Sequence, residues 1–402
     1  MQCFDRLATN GVDRVQDSSI IARAEEGVSG TLDRRRLIAG AGAAGLALAA
    51  GACTPRTPLA PTSTPTLCLP PVNASMDRVI RTVAGLRPYR DEGFVVREQR
   101  LGTTRVIHNY GHGGGGITLS WGSSRLAVDL GLPGHVASGG GPVAVMGAGA
   151  LGLTTAKLLQ EAGIAVRIYA ENLPPDTTSN VAGGQINPTS VFRRSMVDEA
   201  FMRQFEAAME YSFRRFQISV GDDTGVHWAT TYDAMRERPL SAFEQRIMPA
   251  ARVLRGGEHP FPVPVVREWR TMYVETGRWL AHLLRDLRIG GASVERRKLA
   301  SPAQVAALPE RLVFNCTGLG ARALFGDDGM VPIRGQLAIL LPQAEIHHAY
   351  TGPVGYMFPR ADGILLGGTY ERGEWDATPQ PGDIAGIVDA HARYNAGLAC
   401  IA

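Results

Sequence analysis

VAVMGAGALGLTTAKLLQEAGIAVRIYAEN, residues 143–172, is the stretch on which the fold turns. VAVM is a short apolar run of strand type. Gly147, Gly149 and Gly152 follow it in the spacing G-x-G-x-x-G. The next residues repeat with helical period, with Ala156, Leu159 and Gly163 on the inward side, and IAVRIYA reads as a second strand that ends at Glu171. Each glycine has a physical reason: a tight turn at Gly147, backbone approach to a pyrophosphate at Gly149, close packing of helix on strand at Gly152. The helix start offers unpaired N–H groups and the positive end of a dipole. The spacing therefore predicts a dinucleotide site formed by Gly147, Ala148, Gly149, Ala150, Leu151 and Gly152, with Glu171 accepting from ribose hydroxyls. The glycine spacing alone would also suit a tight turn without a ligand; the complete strand–helix–strand–acid unit is the specific signal.

Upstream, residues 33–38 read DRRRLI, which resembles a twin-arginine export pattern with Arg34 and Arg35 as the pair. IAGAGAAGLALAAGA follows, weakly apolar and of the length of a signal h-region. Its glycines do not form a second dinucleotide loop, because no strand precedes them. Cys53 ends the segment in AAGAC and partly resembles a lipoprotein cleavage box that would carry a lipid anchor, although Ala50 stands where leucine is usual. A short buried helix after a basic turn is the competing reading. Residues 1–53 are thus expected to be an export signal that sends the chain to the periplasm, free or anchored facing it. The long stretch before Asp33 also allows a later start codon. Residues 54–77, rich in proline and threonine, read as an extended linker.

The 402 residues are enough for one large two-lobed enzyme, with the apolar and charged fractions of a globular protein. A net charge of +3 gives no basis for nucleic-acid binding. No apolar run reaches the roughly 18 residues of a typical membrane span. The five cysteines form no CxxC pair, so no metal site is expected, and their odd number does not point to a disulfide framework.

Four further regions carry a family resemblance. TTSNVAGGQINP (177–188), FNCTGLGARAL (314–324) with IRGQLAIL after it, GYMFPRADGILLGGTYERGEW (355–375), and GLRPYR (85–90) with NYGHGGGGITLSWG (109–122) together resemble the D-amino acid oxidase family, FAD-dependent oxidoreductases. The resemblance covers most of residues 78–402. It implies FAD as cofactor, an amino acid and O2 as substrates, and an α/β fold: a Rossmann-like FAD-binding lobe with a parallel sheet plus a mixed-sheet substrate lobe. The FAD lobe is expected at about 101–190 and 291–335, the substrate lobe at about 78–100, 191–290 and 336–402. The order departs from the family's. GLRP and NYGHGG normally close the chain, yet here they precede GxGxxG, so the resemblance implies a circular permutation whose old ends are fused through the glycine-rich, flexible GLPGHVASGGGP (131–142).

The resemblance also assigns roles. Thr177, Thr178 and Ser179 would meet the pyrophosphate, and Gly183 and Gly184 would pass under the flavin. Gly113, Gly114, Gly115, Gly116, Ile117 and Thr118 form the flavin loop, whose N–H groups would stabilise the reduced ring; Gly114 counts with the catalytic set. Arg87 would hold the substrate carboxylate in a two-point fork, with Tyr356 on the same carboxylate, so that the α-hydrogen passes to flavin N5. Tyr350 is the nearby candidate for a second, lid tyrosine. His112 and Cys316 read as structural, not as base or nucleophile. Open alternatives are a dehydrogenase that uses a quinone or carrier, a flavoprotein without turnover, and glycine, sarcosine or a D-dicarboxylate as substrate. An acidic substrate would need a further arginine, for which Arg334 and Arg360 are candidates.

Overall fold

The computed structural model describes residues 67–234 and 238–401. The twin-arginine stretch, Cys53 and linker residues 54–66 lie outside the described residues.

The strand Val143–Met146 is buried along its whole length. Val143 and Val145 face one core with Leu153, Leu159 and Trp279, whereas Ala144 and Met146 face another with Val305, Leu308 and Leu324. A strand covered on both faces belongs in a parallel sheet, and parallel neighbours flank it: Leu312–Asn315 and Val166–Ala170. The complete six-stranded order is Val95–Leu101, Thr104–Tyr110, Leu312–Asn315, Val143–Met146, Val166–Ala170, Ser293–Arg296. Only its first pair is antiparallel.

One face of this sheet is covered by the helices Ser120–Ala137, Ala150–Glu161 and Thr276–Ile289. The helix Glu199–Ile218, capped where Asp198 accepts the Phe201 N–H at 2.8 Å, adds to that layer. Its buried residues Phe205, Ala208, Met209, Ser212, Phe213 and Phe216 recur at helical spacing and form one apolar face. That face meets Ser120–Ala137 so closely that a Cβ on Gly122 would stand 1.8 Å from the Ala208 carbonyl oxygen.

The second sheet has nine strands and is mixed. Its order is Val79–Tyr89, Val331–Leu340, Gly363–Gly367, Gly355–Arg360, His348–Gly352, Val226–Ala234, Val265–Val274, Arg252–Arg255, with Glu371–Arg372 paired to Val331–Leu340. Only His348–Gly352 and Val226–Ala234 run parallel. The helix Pro381–Ala396 covers one face through Ile384, Ile387, Val388 and Tyr394.

The α/β architecture agrees with expectation, but the lobe boundaries move. Val95–Leu101, expected almost wholly in the substrate lobe, is the edge of the parallel sheet, and residues 331–335, expected in the FAD lobe, open the mixed-sheet strand Val331–Leu340. Helices Glu199–Ile218 and Thr276–Ile289 pack on the nucleotide side. An amphipathic pattern shows that a helix buries a face but not which sheet receives it. The linker also ends earlier than residue 77: Val72 and Ala74 are buried against the mixed-sheet core. The joint 131–142 is not flexible throughout, because Ser120–Ala137 carries its helix through Pro133; the bend itself is Gly139, Gly140 and Gly141, all at positive φ.

A further correction concerns cysteine. Cys68 and Cys400, 332 residues apart, form a disulfide. Beside it Leu67 and Ile401 pair as an antiparallel bridge. An odd total concealed a paired subset. Closing so long a loop restricts the unfolded chain, and such bonds contribute about 2–4 kcal/mol. The double variant Cys68→Ser/Cys400→Ser should lose stability of that order, read as a lower denaturant midpoint with unchanged flavin content. An unaltered midpoint would mean that the bond does not constrain the unfolded chain.

Candidate active site

A single cavity of about 1010 Å³ is lined from both sheets. That is the upper end of the roughly 300–1,000 Å³ that holds a drug-sized ligand, which leaves room for a dinucleotide and a small substrate together. The Gly147 turn, Gly114 and Arg87 all open onto it.

At one end the backbone is drawn as tightly as glycine permits. Gly147 sits at φ +103°, and a Cβ there would stand 2.5 Å from the Cys316 carbonyl oxygen. A Cβ on Gly152 would come within 1.9 Å of the Gly147 carbonyl oxygen. This contact seats the start of Ala150–Glu161 over the strand end, aimed into the cavity. The Ala150 N–H donates to Ser179 Oγ at 3.0 Å. Thr177 caps a short turn by donating to Asn180 Oδ1 at 2.7 Å. Glu171 lies at the rim, paired with Lys298 Nζ at 2.9 Å.

At the other end lies the loop of residues 111–117. Gly113, Gly114, Gly116 and Ile117 line the cavity, but Gly115 turns toward Val191 and Leu119. Thr118 donates to the carbonyls of Gln185 and Asn187 (3.1 and 3.2 Å). Neither Gly115 nor Thr118 therefore faces the cavity, contrary to expectation. The N–H groups of Gly114 and Gly115 are also committed, to Ser190 and His112 carbonyls at 3.0 Å each, so they are not free to stabilise a reduced ring. Gly152 does not line the cavity either; its role is the packing described above. Ala148, Gly149, Ala150, Leu151, Thr177, Thr178, Ser179, Gly183 and Gly184 all do.

Arg87 and Tyr356 meet beside this loop. The Arg87 guanidinium stands close enough to the Tyr356 hydroxyl to act on it electrostatically, and Arg87 Nη1 donates to the Thr369 carbonyl at 3.4 Å. Among the described residues Arg87 has no carboxylate partner. Burial raises the Tyr356 hydroxyl pKa and Arg87 offsets it, so the phenol remains a proton donor at neutral pH. Two glycines make room for the pair. A Cβ on Gly335 would stand 2.4 Å from both terminal nitrogens of Arg87, and one on Gly367 would stand 2.2 Å from Tyr356 Cζ.

Several other readings change. Tyr350 is fully buried, accepts from Asn395 Nδ2 at 2.8 Å and contacts His391 Nδ1 at 2.7 Å; it is a core residue, not a lid. The exposed aromatic at the cavity is Tyr370. Arg334 is paired with Glu371, and Arg360 with Asp362; neither lines the cavity. His112 is stacked on Phe94 at 4.7 Å, and burial lowers its pKa to about 3, so it is a neutral imidazole. Burial pushes the Cys316 thiol up to about 12, which excludes a thiolate nucleophile at neutral pH. Asp233, Thr351 and Thr369 also line the substrate end; no motif in the sequence marks them.

The residues fit a bound flavin dinucleotide. The cradle at Gly149 would be filled by any Cβ, which would stand 2.9 Å from Ser179 Oγ. Both ring nitrogens of buried His112 lack a partner although the residue lines the cavity.

Comparison with known proteins agrees. The profile of the FAD-dependent oxidoreductases matches residues 64–130 and 142–401. A D-amino-acid oxidase of Streptomyces coelicolor is 31% identical over 255 residues, 62% of this chain and 76% of that protein. The D-aspartate oxidase of Homo sapiens is 27% identical over 247 residues, 59% of this chain and 71% of that protein. A glycine oxidase structure from Bacillus cereus superposes with a TM-score of 0.47 at 15% identity, over 62% of this chain and 77% of that one.

Gly149→Leu should give a colourless protein, because the new side chain enters the space in front of the helix; purification of a yellow protein with one flavin per chain would contradict this. Gly335→Ala should leave flavin content intact yet weaken a monocarboxylate, read as perturbation of the flavin spectrum, by about tenfold, near 1.4 kcal/mol. Unchanged affinity would mean that Arg87 does not depend on the gap at Gly335.

Proposed function

The chain belongs to the FAD-dependent oxidoreductase family of the D-amino acid oxidases, and we propose that it oxidises a D-amino acid to the imino acid. Water then hydrolyses the imino acid to a 2-oxo acid and ammonia, while O2 is reduced to hydrogen peroxide. Bound in the cavity, the flavin supplies a two-electron acceptor; the chain supplies everything that holds and orients the substrate.

The observation that carries this reading is the Arg87–Tyr356 pair. It is a guanidinium without a carboxylate partner among the described residues, beside a partly buried phenol, at the glycine-loop end of the cavity. A planar guanidinium suits a carboxylate bidentately. Tyr356 adds a second donor, so the carboxylate is fixed at two points and the Cα–H is directed toward the loop of residues 113–117. The D configuration is supported by the relatives named D-amino-acid oxidase. No protein base is needed: buried His112 is neutral and stacked.

Two further points belong to the proposal. The rotated order is a circular permutation; the family match breaks at residues 131–141, and the first and last described residues, Leu67 and Ile401, pair with each other. Adjacent ends are what such a rearrangement requires. The protein is exported, free or lipid-anchored through Cys53. The Cys68–Cys400 disulfide supports this, since such bonds persist in oxidising compartments.

Anaerobic titration with D-amino acids should bleach the flavin, and admission of air should restore it with peroxide release. Bleaching without peroxide would assign the electrons to a quinone or carrier. Arg87→Ala should keep its flavin and lose about a hundredfold or more in kcat/KM, near 3 kcal/mol. Kinetics like those of the parent would remove Arg87 from the site.

A further inference from the structure

The strand register places five residues on one rung of the mixed sheet. Gly367 pairs with Tyr356, Tyr356 with Thr351, Thr351 with Asp233, and Asp233 with Arg267. Residues paired across a sheet present their side chains on the same face. The first four all belong to the substrate side: Tyr356, Thr351 and Asp233 line the cavity, and Gly367 lies beneath the Tyr356 ring.

Asp233 is the one acidic side chain lining that end. Apart from Arg87, the other charged lining residues, Glu171, Asp176, Arg297 and Lys298, come from the ribose end. Its Oδ2 accepts from Trp269 Nε1 at 2.6 Å, and its Oδ1 accepts from the Thr351 hydroxyl. Each carboxylate oxygen has a second lone-pair site. Burial raises the Asp233 pKa, and Thr351, Trp269 and the Arg267 guanidinium on the next strand offset it; Arg267 itself donates to the Arg238 carbonyl at 2.9 Å. Asp233 is thus held rigidly at the cavity wall with acceptor capacity to spare.

Resting on the proposed amino acid oxidation, we infer that Asp233 selects substrates with a cationic side chain, of the arginine, lysine or ornithine kind. Distance and charge both favour this. Neighbouring strands lie about 4.8 Å apart, so the Asp233 backbone is about 10 Å from that of Tyr356 and about 14 Å from that of Gly367. A substrate carboxylate held at Tyr356 and Arg87 is thus about two strand spacings from Asp233, on the scale of an extended side chain. The six bonds from the carboxyl carbon to a lysine ammonium span ~7.5 Å, at about 1.25 Å of reach per ~1.5 Å bond. A zwitterion with a cationic tail therefore bridges Arg87 and Asp233 with its charges matched. A small neutral side chain leaves the remaining acceptor sites of the acid unfilled, and an acidic one brings like charges together. Arg334 and Arg360, which an acidic substrate would need, are spent on Glu371 and Asp362.

The test uses the flavin-loaded protein. A panel of D-Arg, D-Lys, D-ornithine, D-Leu, D-Met, D-Ala and D-Asp is scored by anaerobic bleaching and by kcat/KM. The basic members should lead. Asp233→Asn should lower the ratio of kcat/KM for D-Arg to that for D-Leu by about a hundredfold, as loss of one partner of a buried charge pair does. Binding to the parent protein gives a second measure that needs no variant: 5-guanidinopentanoate should perturb the flavin spectrum at least tenfold more tightly than pentanoate. Preference for D-Leu or D-Met, equal loss for both substrates in the variant, or equal affinity of the two acids would overturn the role of Asp233 and leave amino acid oxidation standing. Absence of bleaching by every member would overturn amino acid oxidation itself, and this selectivity with it.

Discussion

The contact between Gly147 and Gly152 is the constraint from which the site follows. Because neither residue has a Cβ, the helix Ala150–Glu161 begins almost in touch with the end of its own strand, and Cys316 closes on the same turn from the next strand. Any side chain there would push the helix away and turn its first N–H groups off axis. With the helix seated, its positive end points along the cavity, and the position of the cofactor cleft relative to both sheets is set. The second sheet then has to bring its binding groups to the far end of that cleft. It does so by the same device: Gly335 and Gly367, on adjacent strands, leave the gaps into which Arg87 and Tyr356 lie.

This explains what could and could not be read from the chain. Gly147, Gly149 and Gly152 were legible because backbone geometry within six residues dictates them. Arg87 was singled out through the resemblance of GLRP, and it lines the same cavity as the glycine loop. Asp233 was not, since the rung joins its strand to His348–Gly352, more than a hundred residues further along the chain. Tyr350 was misread for a related reason. Strand residues alternate between faces, so Thr351, not Tyr350, shares the face of Tyr356. The Cys68–Cys400 bond was invisible because 332 residues separate its halves and only the finished fold brings them together.

The two sheets also divide the electrostatic labour. The parallel sheet and its loops offer backbone dipoles, suited to the spread charge of a pyrophosphate. The mixed sheet offers discrete side-chain charges, one positive and one negative, suited to a small zwitterion. A ligand that satisfies both kinds of demand must be composite, a dinucleotide with an amino acid docked against its ring end.

The bond between Cys68 and Cys400 gives the molecule a covalent topology of its own. With both ends of the described chain tied, the backbone from Cys68 to Cys400 is a closed ring, and the exposed Gly139–Gly140–Gly141 bend is one point on its circumference. A protease that cut there would open the ring without releasing a fragment. The nicked protein would migrate as one species until a reductant parted it. In an environment full of peptidases, such a molecule tolerates a first cleavage at that exposed bend.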